Sequence, residues 1–147
     1  MIILLYLLFT AISFSFGQTT SANALKDTKW HKVLGHTEYR EEVYDMEFTT
    51  MSIKHTITWP LIGKSRSGSD LYYISNSIPS KFDTSKVGSV STKGKYIVKR
   101  LYDKTMVVYE LISISSDTLK VRPISDNTMY DSPIGKIDVI DVYVRKR

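Results

Sequence analysis

Tyr44-Asp45-Met46-Glu47-Phe48-Thr49-Thr50-Met51-Ser52-Ile53-Lys54-His55-Thr56-Ile57-Thr58-Trp59 is the stretch that decides the fold class. In its first half Tyr44, Met46 and Phe48 alternate with Asp45, Glu47 and Thr49, the period-two pattern of a half-buried strand. At Thr49-Thr50 the phase flips. Met51, Ile53, His55, Ile57 and Trp59 then carry the buried face, while Ser52, Lys54, Thr56 and Thr58 face outward. A one-residue slip sends every side chain to the opposite face, so a turn or bulge must sit at the flip, and the stretch reads as a β-hairpin.

Outward from this hairpin the same reasoning covers the chain. Pro60 to Ser69, with Gly63 and Gly68 among Ser and Lys, reads as a loop, and Leu71-Tyr72-Tyr73-Ile74-Ser75 resumes a strand. Ser77 to Lys93 is a longer excursion, expected to cross the barrel or cap one end. Gly94 to Leu101 sets Tyr96, Val98 and Arg100 on one face against Lys95, Ile97 and Lys99 on the other. Thr105 to Ile114 places Met106, Val108, Ile112 and Ile114 together, and Ser115-Ser116-Asp117 turns into a strand from Thr118 to Ile124. After a loop from Pro123 to Gly135, Ile137 to Arg145 is rich in Val, Ile and Tyr and reads as the last strand. About eight strands in up-and-down order result. Such a meander buries one face and disposes of its edges by closing, which predicts an all-β, up-and-down antiparallel β-barrel.

The N-terminal segment is of another kind. Met1 to Phe16 carries no charged side chain and includes Ile2-Ile3-Leu4-Leu5-Tyr6-Leu7-Leu8-Phe9, an h-region. Ser15-Phe16-Gly17 puts small residues three and one positions before a cut after Gly17, and Ala22-Asn23-Ala24 offers a second site before Leu25. The expected organisation is a signal peptide over 1–17, a flexible polar lead-in over 18–27 and one barrel domain over 28–147, exported to the periplasm or secreted. Sixteen uncharged positions fall short of the roughly twenty apolar ones that span a bilayer, so stable membrane insertion after cleavage is not expected. The 147 residues hold no cysteine, which removes disulfides, thiol catalysis, Cys-based zinc sites and acylation of an N-terminal cysteine. The net charge of +5 is spread along the chain and reads as a solvated surface rather than a nucleic-acid footprint.

The strand set Leu71 to Ser75, Gly94 to Val98, Val108 to Ile112 and Asp117 to Val121, with Phe82-Asp83 between the first two, resembles the small lipocalin-like proteins exported by Bacteroidetes. Trp30 in the opening strand fits. In lipocalins a Trp near the start of the first strand closes the barrel bottom, commonly with Gly two residues before it, where this chain has Thr28. The resemblance implies Trp30 as a barrel plug and a small apolar molecule bound inside, since eight strands leave room for side chains or one small ligand.

No residue pattern points to an enzyme. The histidines His31, His36 and His55 lack the spacing that aims two rings at one metal ion. Asp45 and Glu47 share a strand face, yet it is the face opposite Tyr44, Met46 and Phe48, on the solvated outside where an acid finds no desolvated pocket. Neither a nucleophile elbow nor a phosphate loop nor a dinucleotide fingerprint occurs, and no cofactor is implied. The expected function is a non-enzymatic binding protein holding a small hydrophobic ligand. Its wall is drawn from Tyr44, Met46 and Phe48 on one strand and Met106 and Val108 on another, and its mouth is framed by Gly63 to Ser69 and Ser77 to Lys93. The alternative is a cell-envelope module with a filled barrel that docks a protein or a glycan.

Overall fold

A computed structural model of the chain describes residues 20–34, 42–124, 131–132, 135–136 and 139–147. The expected signal peptide lies outside them, as does His36. Two short elements come first: β1 (Thr20–Ser21) and one helical turn, α1 (Ala22–Leu25). The succeeding strands are β2 (Thr28–Leu34), β3 (Val43–Phe48), β4 (Ser52–Trp59), β5 (Lys64–Ser75), β6 (Lys93–Gly94), β7 (Tyr96–Arg100), β8 (Met106–Ile114) and β9 (Thr118–Pro123). The small pair β10 (Asp131–Ser132) and β11 (Gly135–Lys136) precedes β12 (Asp141–Lys146). Eight of these strands close in the order β12-β2-β3-β4-β5-β7-β8-β9, every neighbour antiparallel, and β12 completes the ring by pairing with both β9 and β2. The expected eight-stranded, up-and-down all-β barrel is what the chain forms.

The opening hairpin falls where the phase flip puts it. Phe48 pairs with Ile53, and the Thr49 hydroxyl accepts from the Ser52 amide at 2.9 Å, holding the tight connection. Pro60 to Ser69 departs from expectation. Only Pro60–Ile62 is a turn, closed by Gly63 at φ 61°, a left-handed conformation that glycine enters without penalty. Lys64 to Ser69 then runs as strand, because β4 supplies partners from Trp59 opposite Lys64 down to Ser52 opposite Leu71. Glycine and serine marked a loop on propensity alone, and cross-strand hydrogen bonding overrides propensity.

One end of the barrel is plugged. Leu25, Trp30, Phe48 and Tyr72 are fully buried in a single cluster with Leu111 and Leu119. The segment expected as a flexible lead-in is ordered from Thr20 onward. Thr20 pairs with Gly94, the Ala22 amide donates to Thr92 O at 3.0 Å, and Leu25 inserts beneath Trp30's cluster. Apolar residues at Ala22 and Leu25, three apart, were the missed signal, since on one helical turn that spacing faces one way. Thr28, standing where lipocalins commonly have Gly, links the plug. The Trp30 indole N–H donates to Thr28 Oγ1 at 2.7 Å, and that hydroxyl donates to the Leu25 carbonyl. A buried indole N–H left unmatched would be expensive, and this relay satisfies it.

Candidate functional site: the barrel interior

Inward positions follow from strand parity. On β2 they are Thr28, Trp30 and Lys32; on β3, Tyr44, Met46 and Phe48; on β4, Ile53 and His55; on β5, Asp70, Tyr72 and Ile74. On β7 they are Ile97 and Lys99, on β8 Val107, Tyr109 and Leu111, on β9 Leu119 and Val121, and on β12 Asp141 and Tyr143. The interior is therefore layered. Aliphatic and aromatic groups fill the plugged half, and a belt of ionisable side chains occupies the other.

A half-enclosed cavity lies between the layers, lined by Tyr44, Met46, Phe48, Ile53, Ile97, Lys99, Tyr109, Val121 and Tyr143. Together with the open space at its mouth it measures about 340 Å³. Its closed part has room for about two or three waters before any side chain moves. The expected wall residues Tyr44, Met46 and Phe48 all border it.

Met106 and Val108 do not border it, which corrects the expected wall. Both sit on the outside of the barrel in a second apolar cluster with Tyr73 and Val98, covered by Phe82 and Val87. The pleat of β8 turns Val107, Tyr109 and Leu111 inward instead, and a register shift between Leu111 and Ser113 then brings Ile114 onto the inner cluster. Grouping Met106, Val108, Ile112 and Ile114 on one face ignored that bulge, and took apolar to mean inward on a strand whose two faces are both covered. The same cluster explains Ser77 to Lys93. This excursion lies along the outer wall, with the Phe82 ring 5.2 Å from Tyr73, and it leaves β5 and re-enters at β7 on the plugged end, so it does not frame the cavity's other end. Of the further aromatics weighed from sequence, Tyr109 borders the cavity, while Tyr73 and Tyr96 belong to the outer cluster.

The ionisable belt is built from paired charges. Lys32 Nζ lies 3.0 Å from Asp141 Oδ1, and Lys99 Nζ lies 3.2 Å from Asp70 Oδ2, with all four side chains nine-tenths buried or more. His55 Nδ1 adds a contact of 3.3 Å to the same Asp70 oxygen. Burial pushes the Asp70 carboxyl up, yet His55 and Lys99 together outweigh it and hold the group below the ordinary 3.8. The His55 ring stacks on Tyr44 at 6.2 Å, and Gly68 leaves it room. A Cβ at position 68 would stand 2.6 Å from His55 Nε2, so only glycine allows the ring to lie against β5. Lys32 also stands 5.7 Å from the Tyr44 ring centre and 5.8 Å from that of Tyr143, within cation–π range. Burial first, with the Asp70 and Asp141 charges adding to it, pushes the Tyr44 and Tyr109 phenols far up, so both remain protonated hydrogen-bond donors at any physiological pH.

Elsewhere, Asp45 and Glu47 lie on the outer face as expected: Asp45 is hydrogen-bonded to His31 Nδ1 at 2.8 Å and ion-paired with Lys146 at 2.7 Å, and Glu47 is ion-paired with Lys29 at 3.8 Å. Sequence reasoning missed Lys32, Lys99, Asp70 and Asp141. The available signal was parity, since Lys99 shares a face with Ile97 and Asp70 with Tyr72 and Ile74, but their partners lie far away in sequence, on strands that become neighbours only in the folded barrel. Compared with known protein families, with curated proteins and with solved structures, the chain matches none.

Proposed function

We propose that this chain is an exported, non-enzymatic binding protein that holds one small molecule in the barrel interior. The observation that carries the reading is the cavity itself. One end of the barrel is closed by Leu25 and Trp30, and above them apolar side chains of Met46, Phe48, Ile53, Ile97 and Val121 face the Tyr44 and Tyr109 phenols and Lys99. Such a mixed wall suits a compact ligand with an apolar body and a hydrogen-bond-accepting group, rather than the purely hydrophobic ligand expected from sequence. Because Lys99 and Lys32 are already matched by carboxylates, the belt carries little net charge, which favours a neutral occupant over an anion. The resemblance to small exported lipocalin-like proteins and the h-region followed by Ser15-Phe16-Gly17 support export. The plug favours the cut after Gly17, since a cut after Ala24 would remove Thr20 to Ala24, which pairs with Gly94 and Thr92.

The test is titration of the purified protein with small uncharged apolar fluorescent probes, beside Val121→Phe, which narrows the cavity from β9. One-to-one binding, weakened at least tenfold in Val121→Phe with a near-wild-type denaturation midpoint, is the expected result. Absence of binding together with a strongly lowered midpoint in Val121→Phe would show a filled core and refute the carrier.

A further inference from the structure

The net charge of +5 looks evenly spread in the sequence, but the fold gathers part of it. From Phe48 to Ser69 the chain has no Asp or Glu, while Lys54, Lys64 and Arg66 fall within the stretch, and this is the β4–β5 hairpin. Its tip, Pro60 to Gly63, presents Leu61 at 77% exposure and Ile62 at 63%. Lys64 lies across from Trp59 and Arg66 across from Ile57, so two cations flank the tip on the strand face that carries Ile57 and Trp59. β5 pairs with β7 only from Leu71 to Ser75, so the hairpin from Lys64 to Asp70 projects beyond the β7–β8 turn with β4 as its paired neighbour.

Two large aliphatic side chains on a protruding turn are too small a patch for a stable protein interface, which needs on the order of 800 Å² per partner. They suit shallow burial among lipid headgroups, where cations next to the apolar residues meet anionic phosphates. We propose that the tip of the β4–β5 hairpin docks peripherally on an anionic lipid bilayer, with Leu61 and Ile62 as the inserted residues and Lys64 and Arg66 as the cations that flank them. The proposal does not depend on the cavity being occupied.

The protein as purified from an exporting cell is incubated with vesicles of phosphatidylcholine, with and without phosphatidylglycerol, some carrying brominated acyl chains. Sedimentation reads binding, and tryptophan quenching reads which part inserts. Of the two tryptophans, Trp30 is fully buried in the plug and Trp59 adjoins the tip, so quenching reports the tip even if another segment also binds lipid. The expected result is quenching that requires phosphatidylglycerol, with each cation worth about fivefold in partitioning. Lys64→Glu with Arg66→Glu should therefore weaken docking by more than about 25-fold. Leu61→Asp with Ile62→Asp, both at exposed sites that leave the fold intact by circular dichroism, should abolish the quenching. Absence of quenching in wild type, quenching unchanged in either double variant, or self-association through the tip without lipid binding would each overturn the proposal.

Discussion

Replacing Lys99 with Met tests the ionisable belt directly. Lys99 Nζ lies 3.2 Å from Asp70 Oδ2, and the two side chains are only 10% and 5% exposed. Removing one partner of a buried pair leaves the other as an uncompensated charge, at a cost of about 3–5 kcal/mol. His55, at 3.3 Å from the same oxygen, remains as a second partner, so Lys99→Met should fall at the low end of that range, about 3 kcal/mol. With a urea dependence of about 2 kcal/mol per molar, the denaturation midpoint at neutral pH drops by about 1.5 M. The double variant Lys99→Met, Asp70→Asn removes both charges and should recover most of the loss, because replacing a whole buried pair is often close to neutral. Urea unfolding followed by far-UV circular dichroism measures all three proteins. A loss below about 0.5 kcal/mol in Lys99→Met, the range of surface substitutions, would show that the pair sits in bulk-like water and that the interior is not the dry, layered space described above. Additive losses in the double variant would equally refute the coupling.

Acid stability follows in part from Asp70, whose folded pKa lies below its ordinary 3.8: the contribution is complete above that value and disappears as pH falls through the lower folded one, so acid titration of the midpoint should bend below about pH 4, and the bend should shrink in Asp70→Asn. Asp45, whose burial is likewise outweighed by Lys146 and His31, carries part of the remainder. At the alkaline side Tyr44, Tyr72 and Tyr109 have raised values, Tyr72 pushed up to about 12 by burial and then by Asp27. The unfolded phenols ionise near 10, so stability holds below pH 10 and declines above it, and absorbance at the phenolate band should show these rings ionising only with unfolding. Trp30→Ala should cost about 3–5 kcal/mol, and Thr28→Val, which keeps the shape but removes the hydroxyl between the indole and Leu25, about 1–3 kcal/mol by thermal or urea unfolding; a Thr28→Val loss near zero would show the relay to be incidental. N-terminal sequencing of the exported protein should return Gln18, whereas Leu25 would mean that the barrel stands without Thr20 to Ala24 and their pairing with Gly94 and Thr92.

The sequence by itself determined the fold class, the opening hairpin and the inward face of β3, because alternation on a strand is local: Tyr44, Met46 and Phe48 face inward wherever the strand goes. It also placed Asp45 and Glu47 outside for the same reason. The reading of Met106 and Val108 failed because both faces of β8 are apolar, one toward the core and one toward Phe82 and Val87, and a pattern without polar contrast has no phase to read. Propensity likewise misassigned Lys64 to Ser69, whose strand character is conferred by β4 across the hairpin. What only the tertiary structure decided is which groups meet inside the barrel from neighbouring strands. Lys32 with Asp141 and Lys99 with Asp70 are separated by 109 and 29 positions in sequence and by 3.0 and 3.2 Å in space. A buried charge is tolerated only with its partner, and the partner is chosen by ring closure through β12 and by the register of β5 on β7, long-range pairings that no local window of sequence contains.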